Sequence, residues 1–362
     1  MTMRWGEGFR LTLFGSSHGP DVGAVVEGIP EGTPVDLARV QRELDRRSPM
    51  GRRLATKRRE PDQLVVSDGV REGRATGGPI VGWVRNEDVR RGPYAELEDV
   101  PRPGHADYPA RVRYGRSLDL SGGGIFSGRM TVGIVFAGAL MRPLLEGVGV
   151  GVAAYTRSIG EIEAAPGSLE GPLETIRSRS GDEETGCPDP AAAAEMERVI
   201  EEARRAGDSV GGIVECRADG LPVGVGEPFF DSVESVVSHA LFSIPAVKGV
   251  EFGAGFRAAR MRGSEHNDPF QWVEGTVRTR TNHAGGILGG LTTGMPLLLR
   301  AAVKPTSSIA REQESVSLAR KEARRLVVKG RHDPCIVPRA VPVVEHMTAF
   351  ALADLLKRSG FL

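Results

Sequence analysis

The chain has little of what marks several large classes of protein. Aromatic residues make up only 5% of its 362 residues, which argues against an extended surface for stacking nucleic acid bases. Its 47 basic and 47 acidic residues cancel, so no net charge steers the molecule towards DNA or an anionic membrane. We therefore expect a globular protein that binds anions, if it does, through local clusters of basic residues.

Cysteine and long apolar runs are also scarce. The three cysteines, Cys187, Cys216 and Cys335, are an odd number at wide spacing, which fits neither a disulfide framework nor a zinc ribbon and suits a reducing cytosol. We find no apolar signal core at the N-terminus and no apolar run near the roughly 20 residues that cross a bilayer. No Cys/His spacing or Asp cluster indicates a metal. These absences predict a cytoplasmic protein without a metal.

Glycine, in contrast, is abundant at 48 residues, which predicts many tight turns. Strand patterns cover 10–14, 63–69, 80–85 and 213–218, and helix patterns cover 36–44, 128–145, 188–206, 231–242 and 344–357. Asp36 is a predicted helix cap, and Asp231 with Glu234 a predicted capping box. Because strands and helices interleave without a βαβ rhythm and no linker divides them, we predict α+β layers in one domain spanning 1–362.

The strongest local signal is a basic segment from Arg39 to Arg59. It holds nine basic residues against two acids, Glu43 and Asp45. Such a segment is either a solvated face or nucleic-acid patch, or a loop of guanidinium groups that closes over a small polyanion. Spacing alone does not choose between these alternatives.

Three histidines are candidate catalytic residues, because they lie in predicted turns. His18 and His105 have glycine, serine or proline neighbours, and such small residues let the backbone approach a ligand closely. A lone histidine is nevertheless most often a surface or structurally satisfied residue. In the segment 329–335, His332 lies beside Arg331 and Asp333, with a helix-capping loop as the alternative.

Glycine-rich and hydroxyl-rich segments add potential anion sites. Residues 121–124, followed by Ser127 and Arg129, form a glycine loop that enters a predicted helix, where backbone N–H groups suit an anion. Residues 304–308 supply an ammonium and three hydroxyls, and the turn 282–290 suits either a flat ring or close helix packing. Together these segments predict a site for one or two phosphorylated, anionic small molecules, served by histidines and one carboxylate.

Taken in order, these segments resemble the chorismate synthase family over nearly the whole chain. The matching stretches are 14–19, 58–63, 102–107, 207–211, 243–249, 282–290, 304–309 and 330–335. The resemblance implies a β-α-β sandwich with helices packed between antiparallel sheets, and a homotetrameric cytoplasmic lyase of aromatic amino acid biosynthesis. It also implies that reduced FMN assists a 1,4-anti elimination of phosphate from 5-enolpyruvylshikimate 3-phosphate, giving chorismate.

The resemblance carries roles onto individual residues. It implies that His18 is the acid towards the leaving phosphate, that His105 manages the proton at the reduced flavin, and that Asp333 is the base that completes hydrogen removal through the flavin. The residues implied to hold the substrate are Arg47, Arg53, Arg102, Ser127 and Arg129. Those implied to hold the flavin are Pro245, Ala246, Gly289, Lys304, Pro305, Thr306, Ser307, Ser308 and Arg331.

The chain departs from the family's pattern at three positions. Ser16 replaces a glutamate, and Ile125 and Phe126 replace an arginine and a serine that normally face the flavin. One lost charged hydrogen bond costs roughly 1.5–3 kcal/mol, about ten- to a hundredfold in affinity. This predicts weaker FMN binding or a compensating cation. The source of flavin reduction stays open between an intrinsic NADPH-dependent activity and an external reductant, and the lack of a dinucleotide fingerprint favours the latter.

Overall fold

The computed structural model describes residues 3–56, 60–88, 96–328, 330 and 332–362. Its strands in chain order are β1 (Arg4–Trp5), β2 (Arg10–Gly15), β3 (Asp21–Glu27), β4 (Val65–Asp68), β5 (Val70–Arg71), β6 (Arg74–Ala75), β7 (Ile80–Arg85), β8 (Gly151–Ile159), β9 (Ile162–Glu163), β10 (Gly212–Asp219), β11 (Val247–Phe252), β12 (Phe270–Val273), β13 (Thr276–Thr279), β14 (Ile287–Leu288), β15 (Leu291–Thr292), β16 (Leu297–Val303), β17 (Glu312–Ser317) and β18 (Glu322–Val327). Its α-helices are α1 (Leu37–Arg47), α2 (Asp107–Tyr114), α3 (Thr131–Gly147), α4 (Leu173–Asp182), α5 (Pro190–Arg205), α6 (Val233–Phe242), α7 (Gly263–His266) and α8 (Val337–Arg358).

Two five-stranded antiparallel sheets form the outer layers. The first has the order β1-β2-β3-β7-β4, and the second has the order β11-β16-β10-β8-β9. Neighbouring strands in both sheets run antiparallel, as in the pairing of β2 with β3 and of β10 with β16. This confirms the expected α+β sandwich of helices between antiparallel sheets.

The helices α1, α3 and α8 fill the space between the sheets. α3 packs along α8 and against β3, while α8 also contacts β8 and β10. Because both long helices are apolar over most of their circumference, they must be buried on several sides at once. Gly138 allows their closest approach, since a Cβ at this position would lie 2.1 Å from the carbonyl oxygen of His346.

One apolar helical stretch corrects the expectation about membrane-length segments. Residues Gly128–Gly147 are long and apolar enough to cross a membrane, judged by length and composition alone. However, 78% of the apolar window is buried inside the chain, as expected for the central helix of a packed core.

Several predicted elements are confirmed with small changes in their bounds. β7 has the predicted limits, and β2 extends the predicted strand by one residue. Asp36 caps α1, because its carboxylate accepts a hydrogen bond from the backbone N–H of Arg39 at 2.9 Å. Asp189 caps α5 in the same way through the N–H groups of Ala191 and Ala192.

Other predictions are wrong in detail. The capping box of Asp231 and Glu234 is not formed, because the cap of α6 is Ser232, whose Oγ accepts from the N–H of Ser235 at 3.1 Å. α8 begins at Val337, well before the predicted start at residue 344. Proline is unfavourable in the interior of a helix but is tolerated in the first turn, where Pro338 lies. No sequence pattern predicted β8 or β16, which flank β10 in the second sheet.

A buried charge cluster ties the helix layer together. It consists of Glu43, Arg46, Arg142, Arg177, Glu345 and His346. Glu345 accepts from all three arginines and from the N–H of Ala154. Although these carboxylates and the imidazole lie close enough to share a metal ion, the guanidinium groups already neutralise them. Burial lowers the pKa of His346 to about 4, and Arg142 and Arg46 add to the effect.

We predict that the chain loses stability as the pH falls from 6.5 to 4.5. His346 has a pKa of about 4 in the folded chain, below its ordinary value of 6.5. As the pH falls, the unfolded chain therefore binds the proton first, and this protonation stabilises the unfolded state relative to the folded state. Glu43 has an ordinary pKa of 4.5 and a lowered pKa when folded, so its contribution is lost only at lower pH. The full effect of His346 is on the order of 3 kcal/mol.

Urea unfolding at a series of pH values tests this prediction. His346→Gln should show a shallower loss of unfolding free energy between pH 6.5 and 4.5 than the wild-type chain. His266→Gln, outside the cluster, should behave like the wild type. Equal slopes for the wild type and His346→Gln would contradict the prediction.

Candidate active site

A cavity of about 640 Å³ opens where α3 and α8 begin. Among the described residues, its charged lining consists of Arg47, Glu60, Arg102, Arg129, Lys248, Lys304, Asp333 and Arg339, together with His105 and His332. Cations thus outnumber carboxylates by six to two. The N-terminal ends of two helices add partial positive charge. The cavity is therefore suited to a ligand that carries several negative charges.

A glycine loop brings two of the predicted catalytic histidines to the same place. Gly122 and Gly123 have φ angles of 61° and 92°, which favour glycine. A Cβ on Gly122 would lie 2.1 Å from Cε1 of His18, and a Cβ on Gly123 would lie 3.2 Å from Nε2 of His105. The two imidazoles therefore approach adjacent residues of the loop. His105 lines the cavity, whereas the buried His18 is not among its lining residues.

His105 is oriented by the carboxylate of Asp107. Its Nδ1 lies 2.7 Å from Oδ1 of Asp107, so Nδ1–H donates to the carboxylate and Nε2 is directed towards Gly123. Arg102 donates to the same carboxylate through Nε and Nη2, each at 2.7 Å. Burial alone would raise the pKa of Asp107, but the hydrogen bonds from Arg102 and His105 outweigh it and hold the pKa well below its usual range. Asp107 is thus an anion that fixes both neighbours.

The predicted base Asp333 also lines the cavity, just before α8. Its Oδ1 accepts from the backbone N–H of Thr56 at 2.8 Å, and its Oδ2 accepts from Nη1 of Arg339 at 2.7 Å. Arg339 also donates through Nε to the carbonyl oxygen of Arg47 at 3.2 Å. A single arginine therefore connects the predicted base with the end of α1. The neighbouring His332 is largely buried, and that burial lowers its pKa.

Arg47 and Arg129 lie together at the end of the helix layer. Arg47 is the last residue of α1, and Arg129 lies one turn before α3, where the Oγ of Ser127 caps the chain by accepting from the N–H of Arg129. Both guanidinium groups donate to the buried carboxylate of Asp62. Three predicted substrate-binding residues are therefore contributed by the junctions of two adjacent helices.

The predicted flavin-binding segments 245–246 and 304–308 are neighbours. The N–H of Lys304 donates to the carbonyl oxygen of Ala246 at 3.0 Å, and Lys304 Nζ donates to Ser307 Oγ at 2.9 Å. Ser308 Oγ accepts from Arg102 at 3.1 Å, which joins this wall to the His105 turn. Burial lowers the pKa of Lys304, and the nearby Lys248 lowers it further.

Some predicted site residues are not brought to the cavity. Arg53 is half exposed and pairs with Glu197 and Glu201 on α5. Gly289, in the turn between β14 and β15, is not among the lining residues. Arg331 lies outside the described residues, as does the end of the basic segment, 57–59.

Much of the described basic segment is engaged in internal ion pairs. Arg39 pairs with Glu146, and Arg46 pairs with Glu43 and Glu345. Arg52 donates to the backbone carbonyl oxygens of Glu184 and Arg46. Arginines paired in this way do not present the exposed basic face that nucleic-acid binding needs. Of the described arginines in this segment, only Arg47 lines the cavity.

Sequence reasoning missed several acidic and basic residues of the site: Glu60, Asp62, Asp107, Lys248 and Arg339. Asp107 had a detectable signal, because it lies two residues after His105 in the same turn. Asp62 lies inside the family-matching stretch 58–63 but received no role there, because its partner Arg129 is distant in sequence, and Arg339 had no sequence signal.

The two unusual residues of the glycine loop face the cavity. Ile125 and Phe126 both line it, and the ring of Phe126 lies 6.4 Å from that of Tyr114. An apolar wall thus occupies the position where the family pattern has an arginine and a serine. Ser16, the third departure, contributes a carbonyl oxygen that accepts from Asn86 at 2.9 Å.

Comparisons with known proteins point to one family. The family model of chorismate synthase matches residues 9–356. The chorismate synthase of Korarchaeum cryptofilum is 50% identical over 355 residues, covering 98% of this chain and 97% of the relative. That of Thermococcus kodakarensis is 50% identical over 348 residues, covering 96% of each. A crystal structure of a chorismate synthase, 29% identical, superimposes with a TM-score of 0.77 and covers 98% of this chain and 94% of its own.

Proposed function

The chain belongs to the chorismate synthase family, and from that premise we propose that it eliminates phosphate from 5-enolpyruvylshikimate 3-phosphate with the help of reduced FMN. It is a lyase of aromatic amino acid biosynthesis that forms chorismate. The finer proposal is a 1,4-anti elimination, in which the phosphate leaves C3 and a hydrogen leaves C6. The residues 1–362 would act as a single domain.

The cationic lining of the cavity is the observation that carries this proposal. The substrate has one phosphate and two carboxylates, and FMN adds another phosphate. Transferring so many negative charges from water into a partly buried site is costly unless cations compensate them. Arg47, Arg102 and Arg129 are suited to the substrate, because guanidinium forks match carboxylate and phosphate oxygens.

The composition of the cavity also fits FMN. Lys304 and Ser307 provide an ammonium and a hydroxyl for polar groups of the cofactor, while Pro245 and Ile336 provide apolar surface for a flat ring. Ala246 has a φ of 76°, so the chain turns sharply there and presents its backbone to the cavity. When bound, reduced FMN would supply transient electron density that helps the C3–O bond to break.

The protein's own residues would hold and move protons around this chemistry. His18 would donate a proton to the departing phosphate, close to the backbone of Gly122. His105, with Nδ1–H directed to Asp107, would keep Nε2 available for a proton at the flavin. Asp333, held by Thr56 and Arg339, would be the base that takes up the proton that leaves C6.

We also propose a homotetramer in the cytoplasm. Large aromatic side chains are exposed on the isolated chain, including Phe230 at 92% and Trp272 at 77%. Phe229, which is next to Phe230 in the chain, is exposed as well, and contiguous exposed apolar surface is typical of association surfaces. A second copy of the chain is the partner that the family resemblance implies.

Anaerobic turnover tests the proposed reaction. With chemically reduced FMN, the wild-type chain should release chorismate and phosphate in equal amounts from 5-enolpyruvylshikimate 3-phosphate. His105→Ala should lower the rate by about 10²–10⁴-fold, because a positioned acid–base group is lost. His266→Ala, outside the cavity, should retain full activity. No product despite demonstrated binding of substrate and FMN would refute the proposal.

The departures at Ile125 and Phe126 predict weaker FMN binding than the family pattern would give. Restoring that pattern with Ile125→Arg and Phe126→Ser should tighten binding by roughly ten- to a hundredfold, through one charged hydrogen bond. Quenching of FMN fluorescence measures the affinity. Val112→Arg adds the same charge at an exposed position outside the cavity and should have little effect. Unchanged affinity in the restored variant would contradict the prediction.

A further inference from the structure

We propose that Asp62 is a positioning residue that holds the guanidinium groups of Arg47 and Arg129 in the orientation that receives the anionic groups of the substrate. The proposal rests on the proposed function for the identity of the substrate. It concerns a residue to which the sequence pattern assigned no role.

Asp62 lies behind the two arginines and not in the cavity. Its Oδ2 accepts from Nη2 of Arg47, and its Oδ1 accepts from Nη1 of Arg129. The Asp62 side chain is 0% exposed, and those of Arg47 and Arg129 are 2% and 4% exposed. Both arginines line the cavity, whereas Asp62 does not. The carboxylate therefore orients the arginines without competing with a ligand for the cavity itself.

The two arginines depend on Asp62 to different degrees. Arg129 has further anchors, since Nε donates to Asn86 Oδ1 at 2.8 Å and Nη2 donates to the carbonyl oxygen of Arg85 at 3.0 Å. Besides Asp62, Arg47 has among the described residues only a long contact of 3.5 Å from Nη1 to Thr131 Oγ1, and its buried Nε has no hydrogen-bond partner among them. Loss of the carboxylate would thus affect Arg47 most.

Asp62 is also the nearest compensating charge for Arg47. The pKa of Arg47 is lowered to about 10, mainly by burial and in part by the cations Arg339 and Arg129, while Asp62 opposes this lowering. Burial would raise the pKa of Asp62, but Arg47 and Arg129 outweigh it and lower that pKa. Without the negative charge, Arg47 would lose its proton at a lower pH, and the cavity would lose one cation.

The backbone at Asp62 helps to design the test. Asp62 has a φ of 49°, a left-handed conformation that Asp and Asn adopt more readily than most residues. Its carbonyl oxygen accepts from Gln41 Nε2 at 3.1 Å, which fixes the residue against α1. Asp62→Asn therefore removes the charge while preserving the size and the backbone preference of the side chain.

The experiment is a calorimetric titration of the full chain with 5-enolpyruvylshikimate 3-phosphate and, separately, with inorganic phosphate, without flavin or reductant, from pH 7 to 10. Asp62→Asn should bind either ligand about ten- to a hundredfold more weakly at pH 7. As the pH rises, its affinity should also begin to weaken at a lower pH than that of the wild type. Asp182→Asn, the same change at an exposed position at the end of α4, should match the wild type.

Each outcome bears on the proposal. A folded Asp62→Asn with wild-type affinity and pH profile would overturn the proposal. Weaker binding with the wild-type pH dependence would overturn it as well, because Asp62 would then have only a structural role. If Asp62→Asn does not fold, Asp62→Glu replaces it. This variant keeps the charge but displaces the carboxylate, so it should weaken binding without changing the pH profile. Unchanged affinity of Asp62→Glu would overturn the proposal. If the wild type binds phosphate but not the phosphorylated substrate, the proposed function fails while the phosphate titrations still test Asp62.

Discussion

The arrangement of the site depends on keeping several arginines together in a partly buried place before any ligand arrives. Neighbouring like charges repel each other strongly where water is scarce. The structure meets this constraint with carboxylates placed beside the cations: Asp62 beside Arg47 and Arg129, and Asp107 beside Arg102. Each carboxylate is bound by at least two donors, so the cations are neutralised in part and oriented at the same time.

The sandwich places these groups because its central helices end at the cavity. α1 delivers Arg47 at its last residue, the turn before α3 delivers Ser127 and Arg129, and the turn before α8 delivers Asp333. Close packing of α3 on α8, which Gly138 permits, keeps the two helix starts at a constant separation. The buried Glu43–Glu345 cluster anchors α1 to the same layer. The packing of the core therefore determines the geometry of the site.

The sequence predicted the parts of this arrangement whose causes are local. A cap such as Asp36 acts on residues three positions away, and glycines around His18 mark a turn regardless of the rest of the fold. The alternation that predicts β7 is equally local. The resemblance to a family then supplied the sandwich and joined segments that spacing alone left separate.

What escaped prediction depends on contacts between distant segments. Asp62 meets Arg129, and Arg339 meets the carbonyl oxygen of Arg47, only after the layers have formed. Arg53 illustrates the reverse case, because its motif position suggested the substrate, whereas acidic residues on α5 hold it on the surface. The start of α8 was missed because Pro338 and Pro342 argue against a helix, although Pro338 lies in the tolerant first turn and the helix continues through Pro342.

A crystal structure of the chain with oxidised FMN and 5-enolpyruvylshikimate 3-phosphate tests the central claim most directly. The account predicts that the substrate's anionic groups contact Arg47, Arg102 and Arg129, with its phosphate at the Gly122–Gly123 loop between His18 and His105. It also predicts that Asp62 and Asp107 keep their arginine partners. Substrate bound away from this loop, or arginines that leave their carboxylates to reach it, would contradict the account.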